Sequence, residues 1–501
     1  MDRKVAVLSE PLVEFRYGQA VADPHDGLSL FGPYDADLPS KPRSMVIGLI
    51  GTDAGVQLFN EWSDKVMSGP FSFVEENRRL WPPFPGFDAA FQSHWPSKPS
   101  GVHILDEDNL IHQSHNRDPN LRTSNIVDMY LNGISKFKDR DEPFNVIVCV
   151  VPDEVWKNCR MRSHVVDGWG FSPSKSIREM RAKGQRSIVE DEDWDQADYE
   201  YSLDFRRQIK AKCMKYDIPL QIIRESTFAL SRLHQSFRRG LTPISDRAWN
   251  LATAIYYKAG GKPWKLSTAR EGVCYIGLSF KKAESGKQSR TACCAAQMFL
   301  DSGDGIVFMG DRGPWYSPDD HQFHLSKEAA EKLLSGVLST YERLEGKRLS
   351  EIFLHSRSEI SANEFEGYSA ACPTGVKLVG IRVRPDSGLK LYRFGKMPVL
   401  RGTLWKWSES TAFLFAHGFK WRLQTYDGFY VPKPLRIDIM HGVGDIRQVS
   451  EDIFGLTKLN YNACKLGSSK PVTIDFSDAV GEILVYNPPI RDRSSKFKFY
   501  V

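Results

Sequence analysis

Short apolar runs alternate with longer amphipathic stretches along the first half of the chain. Residues 44–52 (SMVIGLIGT) and 145–152 (NVIVCVVP) are unbroken apolar runs of strand length, the pattern of strands covered on both faces. Residues 55–66 and 125–137 carry helical spacing, with Ser124 standing where an N-cap belongs. A helix over 197–214, a strand over 218–224 with Pro219 near its start, and a helix over 246–258 continue the alternation. Ser245 is positioned to cap that last helix, and Gly260 with Gly261 to stop it. Strand and helix in this order predict an α/β sheet. Two segments fall outside the pattern. Residues 1–44, rich in Pro, Gly and Asp, read as an irregular lead-in with short strands. The polar stretch 157–200, with its acidic run EDEDWD over 190–195, reads as an insertion carrying a mobile surface loop.

Past GGKPW the pattern changes. Apolar runs over 272–280 (GVCYIGLSF), 291–299 and 305–309 follow at hairpin spacing. A charged helix is expected over 326–344, then strands over 351–356 and 376–384 flanking a helix, and strands over 389–394, 398–405 and 434–440. Helices near 445–454 and 476–485 close the chain. The change places a boundary near residue 262. It separates the lead-in (1–44) and an α/β domain (45–262) from a mixed sheet with helices (263–501).

Composition narrows the class. The chain has 501 residues, 41% apolar and 26% charged, as in soluble globular proteins. Its longest apolar runs are too short to cross a bilayer, and MDRKVAVLSEPL lacks the apolar core of a signal peptide. A cytoplasmic location without a membrane partner is expected. Eight cysteines show no metal-ligand spacing and are expected to be reduced and structural. Neither a P-loop, HExxH nor GxSxG occurs. Residues 441–445 (HGVGD) hold a GxG without the third glycine of a dinucleotide site, and read as a turn with Asp445 as N-cap.

Net charge is only +5, but it is unevenly spread. Residues 205–265 carry six lysines and seven arginines against Asp217, Glu225 and Asp246, a net of +10 that leaves −5 for the rest. Such a block is the footprint of a phosphate-bearing partner, or a solvated basic face. Inside it Arg206 and Lys210 are spaced i, i+4 and share one helix face. Gln221 follows on the next strand, and Lys258 closes the next helix. Two lysines, a guanidinium and an amide are the donors that a terminal phosphate needs to replace its hydration. An amphipathic helix with solvated cations explains the first pair equally well.

The order Arg-x3-Lys, IPLQ, and a helix ending Lys-Ala-Gly-Gly-x-Pro-Trp resembles the MID domain of Argonaute proteins. The resemblance implies that Arg206 flanks the first base of a guide strand while Lys210, Gln221 and Lys258 grip its 5′-phosphate. A register one residue later would use Arg207 and Ala211, and alanine cannot bind phosphate. It further implies that the terminal carboxylate of Val501 reaches back to this pocket and, with Gln221, helps hold Mg2+.

The second half resembles the PIWI domain, an RNase H-like fold whose nuclease uses two metal ions held by carboxylates. Where the family places its first Asp, after Ile-Gly-x, stands Ser279; where an Asp follows a later strand stands Arg357. Only Asp478, in VTIDFSDAVGEI, matches an acidic position. One carboxylate cannot hold two metals, so loss of slicing is expected. Asp438 and Asp475 could build a displaced site, although Asp438 alternates with Ile437 and Ile439 as a solvent-facing residue would.

The whole is similar to a short prokaryotic Argonaute, with a Rossmann-like MID domain followed by an RNase H-like PIWI domain. That resemblance implies an RNA guide, a single-stranded DNA target and a separately encoded effector protein. The effector would carry an APAZ region fused to a TIR, sirtuin-like or nuclease domain and act in immunity against plasmids or phage. Two alternatives remain open at this point: a guide-directed endonuclease with a rearranged metal site, and a metabolic α/β enzyme using a small phosphorylated substrate.

Overall fold

The structure is a computed structural model. It describes residues 4–70, 77–140, 143–185, 195–230, 242–282, 291–299, 305–308, 312–313, 315–317, 322–344, 348–488, 494 and 496–500. Most of the acidic run (190–194) and Val501 lie outside the described residues.

Two sheets organise the chain. The first is all-parallel, in spatial order Gly101–Ile104, Ile47–Gly51, Val146–Val151 and Leu220–Arg224. Its two central strands are buried at every residue, because helices cover both faces; this is why they read as unbroken apolar runs. Val146, Val148 and Val150 join a core with Phe59, Trp62 and Trp249, from the helices Asp53–Trp62 and Ile244–Lys258. The alternate residues Ile147, Cys149 and Val151 face Ile126, Tyr130, Phe205 and Ile209, from the helices Pro119–Lys138 and Phe205–Cys213. The strand period of two thus distributes one run between two cores.

The second sheet is mixed. Val273–Lys282, Glu351–Ser356 and Lys377–Pro385 run parallel side by side. Antiparallel strands extend it through Leu435–His441, Thr411–Phe415 and Thr403–Lys406 on one side, and Thr291–Phe299 and Gly305–Phe308 on the other. The lead-in is tied to this half: Val5–Val7 pairs with Thr403–Lys406 at the sheet edge, and Val13–Glu14 pairs with Lys265–Leu266. Among the described residues, no helix is long and apolar enough to cross a membrane.

Several boundaries differ from the sequence reading, each for a local reason. The helix expected from 125 begins at Pro119, because Asp118 caps it and Pro119 presets its first turn; Ser124 is buried inside. The single helix over 197–214 is two, Gln196–Glu200 and Phe205–Cys213: the backbone turns extended at Tyr201, and Asp204 caps the second helix by accepting from the Arg207 amide. The helix expected over 246–258 starts at Ile244, directly after Pro243, with no side-chain cap. The last long helix, Val472–Val485, likewise starts after Pro471. No strand forms over 389–394; upstream, Asp386 accepts from the amides of Gly388 and Leu389 in a turn that competes with a ladder. The strand expected over 398–405 shortens to Thr403–Lys406, and Thr411–Phe415 was not foreseen. Asp445 does cap the helix Ile446–Leu456.

The helix Val472–Val485 crosses the strand Val273–Lys282 at Gly277, where a Cβ would fall 1.9 Å from the Thr473 carbonyl oxygen. No rotamer relieves a clash with backbone. Gly277→Ala is therefore expected to cost about 3 kcal/mol or more, read as a lower urea midpoint at unchanged m-value.

Candidate nucleic-acid interface

The helix Phe205–Cys213 buries Phe205, Ile209 and Cys213 against the parallel sheet. Lys210 donates from Nζ to the Tyr500 carbonyl at 3.2 Å. Tyr500 follows the turn Phe497–Phe499, anchored by the Phe497 ring stacking on Phe476 at 4.2 Å. Lys258, the last residue of its helix, donates from Nζ to the Leu220 carbonyl at 2.8 Å and to Gln221 Oε1 at 2.6 Å. Two helices, one strand and the C-terminal segment thus bring Arg206, Lys210, Gln221 and Lys258 together. The other register does not converge. Arg207 turns to Glu482 Oε2 at 3.0 Å and lies over the Tyr486 ring, and Ala211 is in the core.

The electrostatics of this group are adverse in isolation. Lys210 and Lys258 are 3% and 2% exposed, and Arg206 is half-buried. Burial, reinforced by Arg206 and Lys258, pushes the Lys210 ammonium well below its ordinary pKa. Burial and then Arg206 bring Lys258 down to about 7, against a small opposing effect of Cys149. Burial also lowers Arg206, with Asp204 and Glu482 opposing. Lys258 is held by two neutral oxygens, and no side-chain hydrogen bond to Arg206 occurs among the described residues. Mutually repelling cations placed in low dielectric are costly unless an anion joins them. Chemically, the arrangement can receive a multiply charged anion.

A hard Mg2+ ion needs several oxygen ligands. Gln221 Oε1 is already bonded to Lys258, and the cations oppose a bare dication. The described residues do not fit the ion by themselves, and Val501 lies outside them.

The second constellation also assembles. Ser279 Oγ donates to Asp478 Oδ1 at 2.9 Å, and Arg357 Nη1 donates to Asp478 Oδ2 at 2.7 Å. Lys281, not singled out in the sequence, stands 3.2 Å from Asp478 Oδ1. The signal for it was the strand period: Ser279 and Lys281 share one face. Burial opposes ionisation of Asp478, yet Lys281 and Arg357, with the Ser279 hydroxyl, hold its pKa below the usual carboxylate range. The carboxylate is thus already matched to two cations. Asp438, read as either part of a displaced site or solvent-facing, is buried and bonded to Arg436 at 2.9 Å and Thr411 at 2.9 Å, and Asp475 pairs with Lys470 at 3.2 Å. Among the described residues, no group of three His, Cys, Asp or Glu is disposed to hold a metal.

Solved structures that superpose on this chain identify the architecture. Clostridium butyricum Argonaute bound to a guide DNA and a 19-mer target DNA superposes with a TM-score of 0.62 over 98% of this chain and 54% of its own, at 16% identity. The fold is Argonaute-like. Aa-Ago with externally bound siRNA matches with a TM-score of 0.57 at 14% identity, over 98% of this chain and 55% of its own. A. aeolicus Argonaute gives 0.54 at 13% identity, over 96% and 54%. The chain therefore spans about half the length of the Argonautes it resembles, and its two sheets correspond to the MID and PIWI folds. No protein-family model and no curated protein sequence matches it.

Proposed function

We propose that this chain holds a guide RNA by its 5′-phosphate, presents it for pairing with single-stranded DNA, and cuts neither strand. Residues 45–262 act as the MID domain and 263–501 as the PIWI domain, with 1–44 as a lead-in docked on both. Recognition of target activates a separately encoded APAZ-containing effector of TIR, sirtuin-like or nuclease type, in cytoplasmic immunity against plasmids or phage. The observation that carries guide binding is the convergence of Arg206, Lys210 and Lys258, whose mutual repulsion a phosphate dianion relieves. The Argonaute-like fold, and a neighbour bound to guide and target DNA, support a nucleic acid as the bearer of that phosphate. The reading without slicing rests on Asp478 being matched to Lys281 and Arg357. Nothing favours the rearranged endonuclease, since Asp438 and Asp475 have their own cations.

The test compares 5′-phosphorylated with 5′-hydroxyl single-stranded RNA. At least a tenfold preference for the phosphate is expected, as a single charge-assisted hydrogen bond contributes about 1.5 kcal/mol or more. Equal affinity for both ends would remove the guide reading; a small phosphorylated metabolite competing as well as the polymer would favour the metabolic alternative.

The same pocket predicts a pH dependence. Without ligand, Lys258 loses its proton through about pH 7. A bound dianion raises that pKa, so binding above pH 7 must take up a proton. Affinity for 5′-phosphorylated RNA is expected to fall as pH rises from 7 to 9, by up to about tenfold per unit for one lysine. It should also fall below about pH 6, where the phosphate itself becomes monoanionic. A flat profile for 5′-phosphorylated RNA, matching that of 5′-hydroxyl RNA, contradicts it.

A further inference from the structure

Two neighbouring loops of the C-terminal half carry the most exposed aromatic rings among the described residues. One, 386–400, leaves the strand Lys377–Pro385; the other, 417–433, leads into the strand Leu435–His441. The loops touch. The Phe419 amide donates to the Val399 carbonyl at 2.8 Å, and the Arg393 guanidinium lies 4.9 Å above the Phe419 ring. On them Phe394 is fully exposed, Phe429 is 99% exposed, Tyr430 85%, Tyr392 70% and Trp421 69%. Single apolar residues at a surface are ordinary, but five large rings standing in water on two touching loops are an interaction surface.

Charge decides what it takes. Lys390, Arg393, Lys396 and Lys433 are exposed, and none has an ion pair among the described residues. Two local carboxylates are matched, Glu409 by Lys406 at 2.8 Å and Asp427 by Lys420 at 2.8 Å, while Asp386 folds back on its own loop amides and sets one negative charge against the four positive ones. Arg422 is paired with Asp26. What remains is rings interleaved with uncancelled positive charge. Bases stack on such rings without regard to sequence, while cations follow the phosphates. A protein partner fits less well, because the cores of protein interfaces are depleted in lysine, and three of these four cations are lysines.

We propose that the loops 386–400 and 417–433 form a stacking platform for single-stranded nucleic acid, separate from the phosphate pocket. The platform deepens the nucleic-acid reading and rests on it for the class of ligand, but it stands on different residues.

The test uses the full chain and a 5′-hydroxyl oligothymidylate, which the phosphate pocket does not select. Phe394→Ala with Phe429→Ala and Tyr430→Ala is expected to weaken this probe by about tenfold or more, since each stacked base is lost by alanine substitution at a comparable cost. Lys390→Gln with Lys396→Gln and Lys433→Gln should flatten its salt dependence, by a log–log slope of about 0.7 for each phosphate no longer neutralised. Lys210→Ala with Lys258→Ala should leave this probe's affinity unchanged, so failure of the pocket and failure of the platform are distinguishable. Unmodified protein photocrosslinked to an iodouridine oligonucleotide should yield adducts on these loops. Adducts only elsewhere, or unchanged oligothymidylate affinity in both loop variants, overturn the platform. So would loss of a protein partner from those variants with nucleic-acid binding intact.

Discussion

Alanine at both Lys210 and Lys258 is expected to weaken binding of 5′-phosphorylated RNA by about a hundredfold or more and to leave 5′-hydroxyl RNA almost unaffected. Each lysine offers a charge-assisted hydrogen bond of about 1.5–3 kcal/mol, and two such bonds removed together span that range and beyond. The lower end is the better expectation near pH 7.5, because Lys258, with its pKa of about 7, is largely neutral there before ligand arrives. Removing Lys210 takes a donor from the Tyr500 carbonyl. Removing Lys258 leaves the Leu220 carbonyl and Gln221 Oε1 without their donor, so Lys258→Gln is the companion variant: it keeps a donor and deletes the charge. Retained phosphate preference in both variants, by fluorescence anisotropy at fixed salt, contradicts the pocket.

Guide-loaded protein given a complementary DNA target with Mg2+ or Mn2+ is expected to yield product at the uncatalysed background. Two-metal phosphodiester hydrolysis needs several anionic oxygens to hold ions about 4 Å apart. Here Asp478 faces Arg357 at 2.7 Å and Lys281 at 3.2 Å, and the other family position is the hydroxyl of Ser279. A dication would have to displace two cations to gain one carboxylate. The forfeited acceleration is large, on the order of a millionfold or more for enzymes in general. Asp478→Ala should change nothing in a cleavage gel. Guide-directed cutting that this substitution abolishes would falsify the reading without catalysis, while leaving guide binding intact.

Of the fold, the sequence made legible what short-range physics determines. The runs at 44–52 and 145–152 are apolar throughout because they lie between two helical layers, and that pattern survives without any knowledge of the partners. Helix ends were less legible. Pro119, Pro243 and Pro471 mark true starts that amphipathic spacing alone placed later, and an extended break at Tyr201, followed by a new cap at Asp204, divides a stretch read as one helix. The residues 389–394 have strand composition and no ladder partner.

The candidate site divides in the same way. Arg206 and Lys210 sit one turn apart by helical geometry, and Ser279 with Lys281 share a face by strand geometry; both relations are fixed by spacing alone. The sequence by itself determined the identity of these side chains and the sign of the charge they bring. Only the tertiary structure decided that Lys258 and Gln221 meet Lys210 beside Tyr500, and that Lys281 and Arg357 close on Asp478 from separate strands. The physical reason is range: backbone periodicity orients neighbours within a few residues, whereas burial of like charges, and the pKa depression that follows, exists only after elements far apart in the chain have packed together and excluded water.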